Sequence, residues 1–128
     1  MDTLKKIDEY IFRTLSDLLF ATIPEYQEYY ELENKEIDLL DGVYLFINEF
    51  AIFLCKEIEK NPTNVIVNKA FIFINDIGES DNLEVVNILR VGILEILYSD
   101  KNIKRKLVSD LLNKKAKRVF QQLSEYYY

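Results

Sequence analysis

Apolar positions recur along this chain at intervals of three and four residues, the spacing that lines one side of an α-helix. Leu4, Ile7, Ile11, Leu15, Leu18 and Leu19 predict a first helix over about Thr3–Ala21, with Asp2 as its N-cap. Pro24 suits the first turn of a short second helix, Pro24–Leu32, and Glu25 complements its dipole. A third helix, about Glu36–Lys60, is apolar over most of its circumference between Val43 and Cys55, which marks it as central. Leu40, Val43, Ile47, Phe50, Leu54 and Ile58 predict one buried face, and Phe46 and Phe53 extend it. Asn61-Pro62 ends that helix.

The segment from Thr63 to Gly78 carries two signals. Val65-Ile66-Val67 and Phe71-Ile72-Phe73-Ile74 have strand propensity, whereas Ile66, Val67, Ala70, Phe71, Ile74 and Ile77 fit a 3.6-residue period. Pro62 before it and Gly78 at its end favour helix. A fifth helix, about Asn82–Tyr98, follows a cap at Ser80 or Asp81, with Glu84 placed as in a capping box. Gly92 in its middle predicts a close approach by another helix, because an interior glycine otherwise costs about 1 kcal/mol relative to alanine. Two more helices, about Ile103–Leu112 and Lys115–Tyr126, complete the chain, the last with Ala116, Val119, Phe120 and Leu123 inside. The expected fold is all-α: one domain over residues 1–128, with about seven helices packed as antiparallel hairpins in a bundle or short superhelix.

Composition supports that reading. With only three glycines and two prolines in 128 residues, the chain lacks the turns an antiparallel β-fold requires. Val43–Cys55 is too short to span a bilayer and contains Asn48 and Glu49; the first residues lack a signal peptide's apolar centre. A lone cysteine, Cys55, fits a reducing compartment and a buried role, so the expected location is the cytoplasm.

Candidate chemistry is sparse. The absence of histidine removes the commonest general base and metal ligand, along with any Ser-His-Asp or Cys-His site. No phosphate-binding glycine loop is present. Asp76, Glu79, Asp81 and Glu84 form the one carboxylate cluster, but their spacing does not match a calcium loop, and capping and loop roles are the simpler reading. The expectation is a non-enzyme without cofactor or metal. A carboxylate-only enzyme is the outlying alternative.

The formal charge of −6 conceals two halves. Residues 1–100 hold 20 acidic and 8 basic side chains; residues 101–128 hold 2 and 8. The acidic excess disfavours nucleic-acid binding. Lys101, Lys104, Arg105, Lys106, Lys114, Lys115, Lys117 and Arg118 lack interleaved stacking aromatics and read as solvated or paired charge. Acidic density peaks between Pro24 and Asp41, among tyrosines. Tyr26 and Tyr30 share one helix face, Tyr29 and Leu32 another, so only one pair can be fully buried. Glu25, Glu28, Tyr29, Glu31, Glu33, Glu36, Asp38 and Asp41 are therefore the candidate partner-binding residues, complementary to a protein with a basic surface.

The run Ile77-Gly78-Glu79-Ser80-Asp81-Asn82-Leu83-Glu84-Val85-Val86-Asn87-Ile88-Leu89, then Val91-Gly92-Ile93-Leu94-Glu95, resembles an uncharacterised family of small bacterial helical proteins. Members of that family usually carry phenylalanine where Ile93 stands here. The Pro-Glu-Tyr entry to the second helix and the segment Lys114–Leu123 are also similar. The resemblance implies an immunity-type protein that binds and neutralises a toxin, and it supplies no catalytic residue. A helical adaptor or regulatory module without a toxin partner is the alternative; oligomeric state is open.

Overall fold

The computed structural model describes the backbone of residues 2–32 and 42–127 and the side chains of residues 10–32 and 42–125. Seven helices carry these residues, and no strand occurs among them. They are α1 (Asp2–Thr22), α2 (Pro24–Leu32), α3 (Gly42–Lys60), α4 (Val65–Gly78), α5 (83–99), α6 (Arg105–Leu111) and α7 (Lys114–Gln122), followed by a single turn, Ser124–Tyr127. The all-α architecture and the helical reading of the fourth segment both hold. No described helix is long and apolar enough to cross a membrane.

Polar residues at the helix ends set these boundaries. Asn61 Oδ1 accepts from the Thr63 amide (3.1 Å) and hydroxyl (2.9 Å), tightening the turn after α3. Asn64 then caps α4 by accepting from Val67 N–H at 2.8 Å. At the head of α5 the cap is Asn82, whose Oδ1 accepts from Glu84 N–H (2.9 Å) and Val85 N–H (3.3 Å). This corrects the assignment to Ser80 or Asp81. Ser80 Oγ instead accepts from Asn82 N–H, positioning the residue that caps. At the other end of the chain, α1 takes in Asp2 as a helical residue rather than as its cap. Asn75, on α4, ties down the α6–α7 turn: its amide donates to Leu111 O (3.2 Å) and its Oδ1 accepts from Asn113 N–H (3.0 Å).

α3 begins at Gly42, where φ is +80°. That is left-handed backbone, which glycine adopts without steric cost. Of the helix expected over Glu36–Lys60, the part from Gly42 onward is helical. Residues 36–41, Leu40 among them, lie outside the described residues, as do the side chains of Leu4 and Ile7.

One contiguous core joins the helices. Its widest part is aromatic. The fully buried Tyr26 ring lies 5.1 Å from Phe53 and 5.4 Å from Phe50, and Tyr30 and Phe12 pack on Phe46 at 5.2 and 5.4 Å. Ile47, Phe50, Leu54 and Ile58 of α3 are buried as expected, while Val43 is half-buried. Leu18, expected inside, is 38% exposed; Leu15 and Leu19 carry the inner face of α1.

Within α5 the stretch Ile88–Leu94 is wound as a π-helix, between α-helical turns Leu83–Asn87 and Glu95–Ser99. This wide segment is where α3 packs most extensively. Gly92 faces Ile47 there, and a Cβ on Gly92 would stand 2.8 Å from Ile47 Cγ2. Close helix approach at Gly92 is therefore present, in a segment whose π winding the 3.6-residue pattern did not suggest.

Candidate protein-binding face

α3 is buried on most sides, yet Leu45 and Ile52 are 48% and 42% exposed. Seven residues apart, they occupy one face two helical turns long. Lys56 continues that face and is exposed. The face is bordered on one side by α2, where the Tyr29 ring lies 4.9 Å from Phe53 and 6.0 Å from Lys56 Nζ. On the other side, α3 and α5 enclose a solvent-open groove of about 460 Å³ lined by Asn48, Val91, Glu95, Ile96, Ser99 and Asp100. Val91, carried outward by the π segment, is itself 38% exposed.

The groove combines apolar walls with carboxylates. Ser99 Oγ donates to Glu95 O at 2.7 Å, and Asp100 Oδ1 accepts from Asn102 N–H at 2.8 Å. Asn48 Oδ1 is buried without a hydrogen-bond partner among the described residues. Such an orphaned acceptor is uncommon in a folded protein. Cys55 lies beneath this end of α3, buried, and burial pushes its thiol up to about 12, aided by the adjacent Asp100 carboxylate and by Glu59. A thiol so held is protonated and unreactive at neutral pH.

The acidic residues singled out on α2 divide. Glu28 and Glu31 are exposed. Glu25 is turned to α4, where Lys69 Nζ meets its carboxylate at 3.0 Å. A hydrogen bond from its own backbone amide, then Lys69, holds the Glu25 pKa below its ordinary value. Of the tyrosines, Tyr26 and Tyr30 are the buried pair, Tyr29 is half-buried and Leu32 is 78% exposed. Glu33, Glu36, Asp38 and Asp41 lie outside the described residues. Leu45, Asn48, Ile52, Val91, Glu95 and Asp100 were not singled out from the sequence. Leu45 and Ile52 sit in a run that is apolar on every side, so periodicity cannot tell which face is outward.

Two of the carboxylates around the α4–α5 connection are separately engaged. Asp81 pairs with Lys115 at 3.3 Å, and Glu84 accepts from Tyr44 Oη at 3.1 Å. Desolvation first, and then Glu84, raises the Tyr44 pKa. No grouping of three or more potential metal ligands occurs among the described residues. In the basic half, Lys115 also donates to Glu79 O (3.2 Å), and the Arg105 guanidinium stacks 3.7 Å over Tyr98 while donating to its carbonyl. Lys104, Lys106, Lys114 and Arg118 are exposed.

Among known proteins, the family described as Domain of unknown function (DUF7674) matches residues 16–128. No curated protein and no solved structure matches the chain.

Proposed function

The chain belongs to the DUF7674 family, and on that footing we propose that it is a stoichiometric protein-binding domain of the immunity type, which silences a toxin by covering a basic surface on it. One observation carries the reading. The central helix leaves Leu45 and Ile52 open to solvent on a single face, beside the half-exposed Tyr29 and Val91. Apolar anchors ringed by charge are the usual anatomy of an interface centre and its rim. Glu28 and Glu31 on α2, Glu95 on α5 and Asp100 just after it give that rim its acidic character. The aromatic cluster under α2 and α3 holds the face in place before any partner arrives, which limits the entropy lost on binding. A complete interface buries about 1,600 Å² in total, more than this face alone, so neighbouring parts of α2 and α5 belong to it.

The test is co-expression with the protein encoded by the neighbouring open reading frame, together with capture by the tagged chain. A toxic effector that is bound and neutralised supports the reading. A non-toxic partner in a stable complex replaces it with the adaptor alternative. Association should be salt-sensitive, and Glu28→Lys with Glu31→Lys should slow it.

A further inference from the structure

We infer that the basic outer face of α7 docks on the acidic outer face of α2 in a second copy of this chain, so that the protein self-associates through unlike faces. No toxin takes part, and the contact stands independently of the function proposed above.

Charge is segregated along the chain. Between Lys101 and Gln122 stand eight basic side chains and one acidic, Asp110. α7 turns Ala116 and Phe120 inward, which leaves Lys114, Arg118 and Gln121, spaced i, i+4, i+7, along its outer face. Lys114, Lys115 and Lys117 crowd its first turn, where no acidic residue stands and Asn113 makes no side-chain cap bond. Cations at the positive end of a helix dipole are unfavourable, and carboxylates brought to that end relieve them. Lys115 is matched by Asp81, but Lys104, Lys106, Lys114 and Arg118 have no ion pair among the described residues.

α2 is the reverse. With Tyr26 and Tyr30 inward, Glu28, Glu31 and Leu32 stand outside. Glu31 accepts from Gln27 at 3.4 Å, a neutral donor that leaves its charge in place, and Glu28 has no ion pair among the described residues. Within one molecule the two faces do not meet: α2 packs on α1 and α3, and α7 on α4, α5 and α6. A second copy is the occupant that charge favours. A polyanion drawn to α7 is repelled by residues 1–100, with 20 acidic side chains against 8 basic, whereas a second copy offers that same excess as the attracting surface. Leu32, 78% exposed, is placed to lie against the methylene stems of the second copy's basic face. Exposed charges with little apolar area make a weak contact that salt screens.

Sedimentation of the full chain at about 20 mM and about 300 mM salt tests this. Self-association with Kd of about 0.1–1 mM is expected at low salt, weakened at least tenfold at high salt. The double variant Glu28→Lys/Glu31→Lys presents two basic faces, and Lys114→Glu/Arg118→Glu two acidic ones. Each should stay monomeric alone, and their equimolar mixture should associate. A wild-type chain that is monomeric at low salt up to about 1 mM, or that associates more tightly at high salt, would overturn the inference. So would a mixture no more associated than its parts while both variants keep the wild-type circular dichroism. Binding of a duplex DNA oligonucleotide or phosphatidylserine vesicles without self-association, lost in Lys114→Glu/Arg118→Glu, would assign the basic face to a polyanion instead.

Discussion

Gly92 and Ile47 meet where α5 crosses α3, closely enough that the missing Cβ of Gly92 would lie 2.8 Å from Cγ2 of Ile47 and 3.4 Å from its Cβ. Gly92→Ala should therefore destabilise the fold by about 1–3 kcal/mol, the usual range for overpacking, despite alanine's better helix propensity. Ile47→Leu removes the branch at fault. A thermodynamic cycle should show Gly92→Ala costing less in that background, and additive costs would count against the contact.

The head of α5 depends on Asn82. Asn82→Ala should cost about 1 kcal/mol in denaturant unfolding, with a smaller loss for Asp81→Ala, whose partner Lys115 is a surface ion pair. Equal losses at the two positions would contradict the cap geometry.

Tyr26 is wholly buried among aromatic rings, and its hydroxyl reaches Phe46 O only at 3.5 Å. The ring, not this long hydrogen bond, should dominate its contribution. Tyr26→Ala should cost about 3–5 kcal/mol, whereas Tyr26→Phe should stay within about 1 kcal/mol. Urea titrations of the two variants separate these contributions.

Alkaline pH should weaken the fold in a defined window. Cys55 is raised from 9.0 to about 12, so between those values the unfolded chain releases a proton that the folded one retains. Fewer protons bound in the unfolded state means stability falls as pH rises. The contribution is complete below pH 9 and lost on passing 12. Tyr26, raised by desolvation, acts with the same sign. Cys55→Ala should flatten the decline of stability measured by denaturant unfolding over this window, and an unchanged slope would contradict the placement of the thiol.

Ile52→Ser and Leu45→Ser should leave thermal stability within about 0.5 kcal/mol while weakening partner capture at least tenfold. Glu28→Lys should act chiefly on the association rate and its salt dependence. A binding defect confined to the basic C-terminal half would move the interface elsewhere.

Much of the fold was legible because the 3.6-residue period and its punctuation agreed. Ala70, Phe71, Ile74 and Ile77 are buried on α4 despite their neighbours' strand propensity, and Pro24 opens α2 where its missing N–H is harmless. Three adjacent capping residues, Ser80, Asp81 and Asn82, made the start of α5 ambiguous, and hydrogen-bond geometry alone decides among them. The π winding was hidden for a related reason. Ile88, Leu89, Ile93 and Leu94 are all buried and form so dense an apolar run that wide and narrow helical turns fit it alike. Of the acidic stretch, Glu28 and Glu31 are placed at the surface, but Glu25 was claimed by Lys69, a partner 44 residues away that local spacing cannot show.

The wide turn at Ile88–Leu94 also bears on how this protein can change. A π-helical bulge arises when a helix carries one residue more than regular winding accommodates. Each residue of an α-helix advances the side chains by about 100°. Deleting a single residue between Ile88 and Leu94 would let α5 rewind regularly, but would swing the half bearing Leu97 and Tyr98 away from the core relative to the half capped by Asn82. Substitutions that keep the apolar character of this segment should thus be tolerated far better than any change in its length. The number of residues here is itself a structural constraint, enforced by the two halves of one helix that must both face inward.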